Sequence, residues 1–330
     1  MENLNSKSLY IIGNGFDLLH GVESSYYDFR EYIMSRNKSM NLEVGTYFNC
    51  ENYWGDFEDK LASLSAKKVI GTVDNILDVH MSMYKDNANN ITYDSYSAAI
   101  DLGTRVVEDL TVELPKQLEA WINSLTFKKE RLEDLDKLIK KDAAFINFNY
   151  TEFLESNYNV EKDRILYIHG NRSDKSKDIV LGHGRNPRRI YGFSYDTKYK
   201  DNITSFEDLE GNSEKSLRNP IKLFAANYVS NRLREYFYAH SKKTEDIISD
   251  NIDFFKNLRF VEEVYVIGHS MSQVDHPYFR KIIEENRSFK KIKWKISYYG
   301  EEDKKRIEDG ISKMGLDMED VEFFKIKIPG

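Results

Sequence analysis

The sequence predicts an α/β fold with a mainly parallel sheet and a large helical insertion between the first two strands. Three observations carry that expectation. Leu9-Tyr10-Ile11-Ile12 is an apolar run that stops abruptly at Gly13-Asn14-Gly15 and continues into Phe16 and Asp17. A parallel strand is covered on both faces, and it reads as such a run. Two later segments, ending near Asn149 and Gly268, repeat the same strand-then-polar-turn pattern. Between the first two of these, apolar residues recur at helical spacing, as in Val69, Val73, Ile76 and Leu77, and again in Leu110, Leu114, Leu118, Trp121 and Leu125.

In chain order, Ser24 precedes an apolar-periodic segment and predicts a helix start. A second helix is expected from about Tyr53-Trp54-Gly55-Asp56-Phe57, and another over 131–140. Strands are expected at 144–148, 165–168, 179–181, 263–267, 292–297 and 321–326. Residues 217–257 return to helical periodicity. A helix near Asp275 or His276 carries Pro277 in its first turn, where proline is tolerated, and a further one covers 301–314. Strands alternating with helices imply a parallel sheet. The expected division is a sheet domain of 1–22 and 143–330, with 23–142 as the helical insertion.

Composition narrows the function. The 330 residues carry 48 Lys and Arg against 55 Asp and Glu, a net charge of −7, which argues against a protein that wraps nucleic acid. Residues 164–200 run against that balance. They hold Arg164, Arg172, Lys175, Lys177, Arg185, Arg188, Arg189, Lys198 and Lys200 but only Asp174, Asp178 and Asp196. This stretch is either a solvated loop or a contact for phosphate or nucleic acid. The lone Cys50 excludes an internal disulfide and a cysteine-based zinc site. No apolar run approaches the roughly 18–20 residues of a membrane span. Met1 to Ser8 is polar, with no visible signal peptide. The expected compartment is the cytoplasm.

The strand-end turns carry the candidate chemistry. Glycines 13 and 15 allow a tight turn and let a phosphate approach backbone N–H groups. The motif is not the full dinucleotide fingerprint, because position 18 is Leu18. Asp17 either holds the turn or contacts a ribose. Asn149, in Asn147-Phe148-Asn149-Tyr150-Thr151, offers a ligand both a donor and an acceptor; alternatively it stitches the turn together. His169, followed by Gly170, is placed for acid–base work at a strand end, and His183 is a second candidate. In Gly268-His269-Ser270-Met271-Ser272-Gln273-Val274-Asp275-His276, the polar residues Ser270, Ser272 and Asp275 suit ribose or phosphate. The spacing of His269, Asp275 and His276 is not a recognised zinc pattern. A Gly-x-Ser-x-Gly elbow is absent, because position 272 is serine.

Taken together, these motifs resemble the AbiH family of bacterial abortive-infection proteins, which protect populations against phage. The matching stretches are 10–21, Trp54-x-Asp56-Phe57-Glu58, Phe148-Asn149-Tyr150-Thr151-x-x-Leu154-Glu155, Ile168-His169-Gly170-Asn171, Gly182-His183, and the run from Ile267-Gly268-His269-Ser270 to Asp275-His276-Pro277-Tyr278-Phe279. More distantly, the chain is similar to SIR2-like NAD-binding proteins, which implies a Rossmann-like sheet. Defence members of that group hydrolyse NAD with an asparagine and a histidine, here matched by Asn149 and His169. On the same match Gly13, Asn14, Gly15, Asp17, Tyr150, Gly268, His269, Ser270 and Asp275 would line the nucleotide, with Ser270 and Asp275 on the distal ribose. Two positions depart from that pattern: Thr151 stands where an aspartate is expected, and Asn14 where a small residue is. The cysteine pairs of zinc-bearing sirtuins are absent, so protein deacetylation of that type is not implied; no metal is expected.

The resemblance implies an antiphage protein that cleaves the nicotinamide–ribose bond of NAD or a related nucleotide. Two other readings stay open. One is a nuclease or phosphodiesterase using His183, His269, His276 and the basic stretch. The other is a non-catalytic nucleotide sensor that signals to a partner. The expected partners are a small-molecule nucleotide, a phage-derived trigger and a second copy of the chain. A membrane is not expected, and nucleic acid is not favoured.

Overall fold

The computed structural model describes residues 6–48, 54–55, 57–83, 93–128, 130–187, 214–286 and 291–327. Six strands form one sheet in the order β3-β2-β1-β4-β5-β6. They are β1 Ser8–Ile12, β2 Ala144–Asn147, β3 Ile165–Tyr167, β4 Glu263–Ile267, β5 Lys293–Ser297 and β6 Val321–Phe324. Every neighbouring pair is parallel. The α/β class and the Rossmann-like arrangement expected from the sequence are therefore those of the molecule.

Period-two alternation explains how the strands are buried. Tyr10 stacks on Phe145 at 5.0 Å and on Tyr265 at 4.7 Å, on one face of the sheet. Leu9, Ile11, Ala144, Ile146, Val264, Val266, Trp294 and Ile296 belong to a single core cluster with Phe254, Phe255, Phe279, Ile282, Ile307 and Ile311. Truncating one of the buried Leu, Ile or Phe side chains among these to alanine costs about 2–5 kcal/mol. Because β1 is covered on both faces and paired on both edges, its five residues are all buried.

The strand order fixes where a ligand would sit. From β1 the chain moves outward through β2 to β3, then crosses back to place β4 on the other side of β1. In open α/β sheets such a reversal marks the usual ligand position, here beyond the carboxyl ends of β1 and β4.

Between β1 and β2 the named elements are all helices, among them Tyr26–Arg36, Lys38–Tyr47, Ala66–Met83, Tyr93–Glu108 and Leu114–Ser124. A π-helical turn, Asp109–Glu113, joins the last two. The helix expected from Tyr53 begins at Phe57, and that expected over 131–140 is shorter, Glu133–Leu138. A 3₁₀ turn, Gln273–Asp275, leads into His276–Asn286, and Pro277 is its second residue. The strand expected at 179–181 does not form. Gly182 follows at once, and Val180 bonds to the β3 turn instead, its N–H donating to the His169 carbonyl at 2.9 Å.

Contacts group the chain into two compact units. One comprises Met1–Phe29, Leu118–Gly184 and Lys242–Gly330 and carries the sheet. The other comprises Arg30–Gln117 and Arg185–Ser241. The boundaries drawn from sequence, 23–142 and 143–330, differ from this division because helix Glu214–Ala239 packs on Ala66–Met83 and Tyr93–Glu108. Local periodicity does not record such a partner. Within this second unit Gly103 permits a close helix contact, since a Cβ there would lie 2.2 Å from Val73 Cγ2.

Among the described residues no helix is long and apolar enough to cross a membrane. Cys50, Tyr53, Asp56, Arg188, Arg189, Asp196, Lys198 and Lys200, singled out in the sequence, lie outside the described residues.

Candidate functional site

The glycines after β1 and β4 face each other. Gly13 N–H donates to the Ile267 carbonyl at 2.9 Å, and Gly15 N–H donates to the Gly268 carbonyl at 2.7 Å. A Cβ on Gly13 would lie 2.6 Å from His269 Cα, and one on Gly15 would lie 2.6 Å from Gly268 Cα. Gly268 itself has φ +64, a conformation open to glycine at little cost. The glycines are thus required for backbone-to-backbone approach. Their two N–H donors, expected from sequence to face a phosphate, are engaged within the fold. Asn14 is exposed, and its Nδ2 donates to the Ser24 carbonyl at 2.8 Å.

Asp17 binds the next turn. Its Oδ1 accepts from Asn149 Nδ2 at 2.8 Å and its Oδ2 from Thr151 Oγ1 at 2.7 Å. Asn149 N–H in turn donates to Asn147 Oδ1 at 3.0 Å. Burial pushes the Asp17 carboxyl up to about 7, against the lowering effect of the Thr151 and Asn149 hydrogen bonds. Asn149 is buried, yet its Oδ1 has no hydrogen-bond partner. Leaving a buried acceptor unpaired costs about 1–3 kcal/mol, which a ligand donor would recover.

The β3 turn is clamped beside the β2 turn. Arg172 N–H donates to the Tyr150 carbonyl at 2.8 Å, and its guanidinium grips Glu152 through Nε at 2.8 Å and Nη2 at 2.7 Å. Two parallel bonds of this kind fix orientation as well as position. Arg172 Nη1 also donates to the Ile122 and Leu125 carbonyls, closing the end of helix Leu114–Ser124. Tyr150 OH donates to the Val180 carbonyl at 3.0 Å. Gly170, at φ +87, passes so close to Asp178 that a Cβ would lie 2.7 Å from its carbonyl oxygen.

This clamp sets His169 next to the β4 turn. Phe148 stands edge-on between two imidazoles, 5.2 Å from His169 and 4.3 Å from His269. Asp275 lies between the same two histidines, with Oδ1 3.7 Å from His169 Nε2 and Oδ2 3.4 Å from His269 Nε2. Buried Lys242 approaches Asp275 Oδ1 to 3.4 Å. Burial alone would raise the Asp275 carboxyl; Lys242 and the two histidines reverse that and hold it well below the usual carboxylate range. Burial, then Lys242 and His269, hold the His169 imidazole well below its ordinary value, against the pull of Asp275. His169 is therefore neutral near pH 7, and its buried Nε2 makes no hydrogen bond.

His269 and His276 support backbone. His269 Nδ1 accepts from Met271 N–H at 2.9 Å, so the proton of a neutral His269 sits on Nε2, toward Asp275. His276 Nε2 donates to the Met271 carbonyl at 3.1 Å. Met271 needs both contacts, because its φ of +52 is left-handed for a residue with a side chain. His183 is buried, and its carbonyl accepts from Lys242 N–H at 2.9 Å. Ser270 is exposed. Among the described residues no group of three or more His, Cys, Asp or Glu is arranged to hold a metal ion. Of the basic stretch, Arg164, Arg172, Lys175 and Arg185 each pair with an acid.

Two clusters thus emerge at one sheet edge: Asp17, Asn149 and Thr151, and His169, His269, Asp275 and Lys242. Sequence reasoning missed Lys242 and the Arg172–Glu152 clamp. Neither lies in a motif, and nothing local marks a lysine for burial. Asn171 was quoted only as part of a motif; it is buried with Nδ2 unpaired, while its Oδ1 accepts from Ser173 N–H at 2.7 Å.

The model of the family described as bacteriophage abortive infection AbiH matches residues 9–298, a span that holds all four turns. No curated protein and no solved structure matches the chain. With the match running over most of its length, the chain belongs to the AbiH family of bacteriophage abortive infection proteins.

Proposed function

We propose that this abortive-infection protein acts on a nucleotide bound beyond the carboxyl ends of β1–β4, and that it hydrolyses NAD or a relative at the nicotinamide–ribose bond. The observation that carries this reading is a pair of buried polar atoms that make no hydrogen bond, Asn149 Oδ1 and His169 Nε2, on the turns of neighbouring strands. In the reaction nicotinamide leaves with the electrons of the C–N bond. The oxocarbenium-like sugar is captured by water, which gives up one proton. Asn149 Oδ1 accepts a hydrogen bond from a ribose hydroxyl or from that water, and neutral His169 takes the proton. Because the N–H groups of Gly13 and Gly15 are engaged within the fold, in this reading the diphosphate draws its donors from other groups.

Loss of NAD would halt the infected cell, in keeping with abortive infection in the cytoplasm. A requirement for a phage-derived trigger and for assembly into homo-oligomers would keep the activity silent before infection. The test is NAD loss by purified protein, run beside plaque counts, for wild type, Asn149→Ala and His169→Ala, with melting curves as the folding control. Each variant is expected to lose about 10²–10⁴ in rate along with phage protection. Full protection by both folded variants would sink the enzyme reading. Protection by the wild type without NAD loss would favour a sensor, or a nuclease built on the histidine-rich turns.

A further inference from the structure

We infer that Asp17 is a positioning residue: it turns the Asn149 amide so that the carbonyl, and not the NH₂, meets the ligand. The site therefore selects a group that donates a hydrogen bond, a sugar hydroxyl rather than a phosphate oxygen. The inference rests on the nucleotide-site reading above and assigns Asp17 a place behind the site instead of on the ribose.

The geometry leaves little freedom. Above pH 7, where Asp17 is ionised, its carboxylate only accepts, so there the Asn149 atom 2.8 Å from Asp17 Oδ1 is the nitrogen. The second carboxylate oxygen is occupied by Thr151 Oγ1 at 2.7 Å, which prevents the carboxylate from turning away. The backbone of Asn149 is fixed separately through Asn147 Oδ1. With nitrogen and backbone both fixed, Oδ1 has one direction left, and there it has no protein partner. Thr151 thus serves the same carboxylate as Asn149. The acid that the SIR2-like pattern places at position 151 is matched in this chain by a hydroxyl bonded to Asp17.

The experiment uses the full-length chain, with the side-chain amide of Asn149 followed by nitrogen–proton NMR and assigned through Asn149→Ala. In wild type the NH₂ pair is expected to exchange slowly and to lie downfield, as for an amide bonded to a carboxylate. Asp17→Leu, which removes the acceptor, should abolish that signature and cost about 10²-fold in NAD turnover. Asp17→Asn keeps an acceptor and should restore both to within about tenfold. Thr151→Val should leave the signature in place. Adenosine diphosphoribose should shift the Asn149 signals, and inorganic pyrophosphate should not. An Asn149 amide that exchanges freely in wild type, or an Asp17→Leu protein with wild-type signature and turnover, overturns the inference. A shift with pyrophosphate alone also overturns it. A wild type with the protected amide, shifted by adenosine diphosphoribose but without NAD turnover, supports the positioning and overturns only the hydrolase reading.

Discussion

The backbones of Gly15 and Gly268 are in direct contact: a Cβ on Gly268 would lie 2.5 Å from the Gly15 carbonyl carbon and 2.3 Å from Phe16 N. Neither neighbour is a flexible side-chain end, so the clash has no cheap escape. Gly15→Val should therefore lower stability by at least the roughly 1–3 kcal/mol typical of overpacking, before any effect on a ligand. From sequence alone the same substitution is expected to act on nucleotide binding. Gly300→Ala is the control, because nothing lies within 4 Å of its Cβ position. Urea unfolding of the two variants checks this; a Gly15→Val protein as stable as Gly300→Ala would refute it.

A second prediction concerns pH. Asp17 ionises near 7 in the folded protein, having been raised from the ordinary carboxylate range by burial. Between about pH 4 and pH 7 the folded state then holds a proton that the unfolded chain has released. The stabilisation from this group is fully present below pH 4 and is lost as pH rises to 7, on the order of 4 kcal/mol in all. Asp17→Asn removes that dependence. Its melting temperature relative to wild type should be several degrees more favourable at pH 8 than at pH 4.5. An equal difference at both pH values would show that Asp17 titrates normally.

Lys242 and Asp275 should behave as a coupled pair. Lys242→Met leaves the Asp275 carboxylate buried with only histidines nearby, and should cost about 3–5 kcal/mol. Asp275→Asn in the Lys242→Met background should recover much of that loss, because the unpaired charge is gone. Denaturant melts of the four proteins in the cycle measure the coupling. Strictly additive effects would mean that the 3.4 Å approach carries no energy.

The sheet could be read from the sequence because its strands are short apolar runs ended by glycine or asparagine. Val264-Tyr265-Val266-Ile267 before Gly268 is the plainest case. Helix 301–314 was equally legible, with Gly300 before it and Gly315 closing it at φ +75. Asn149, His169 and Asp275 stand out in the sequence as candidate residues, as do Asp17 and His269, but the bonds that join them do not. The Asp17 bonds span 132 and 134 positions of chain, and local pattern records only neighbours in sequence. Lys242 escaped for the same reason. Ile179-Val180-Leu181 misled because three apolar residues describe a strand and a buried loop equally well.

The central position of β1 also bears on biosynthesis. Its left-hand partner β2 follows it by roughly 130 residues, but its right-hand partner β4 follows it by roughly 250. At about 5–20 residues per second on the ribosome, the open edge of β1 waits on the order of 10–50 seconds for β4. Throughout that interval an apolar, hydrogen-bond-hungry strand edge is exposed in the nascent chain, a template for pairing with other chains. Escape from aggregation during translation is thus a demand that this strand order places on the cell, whatever the finished protein binds.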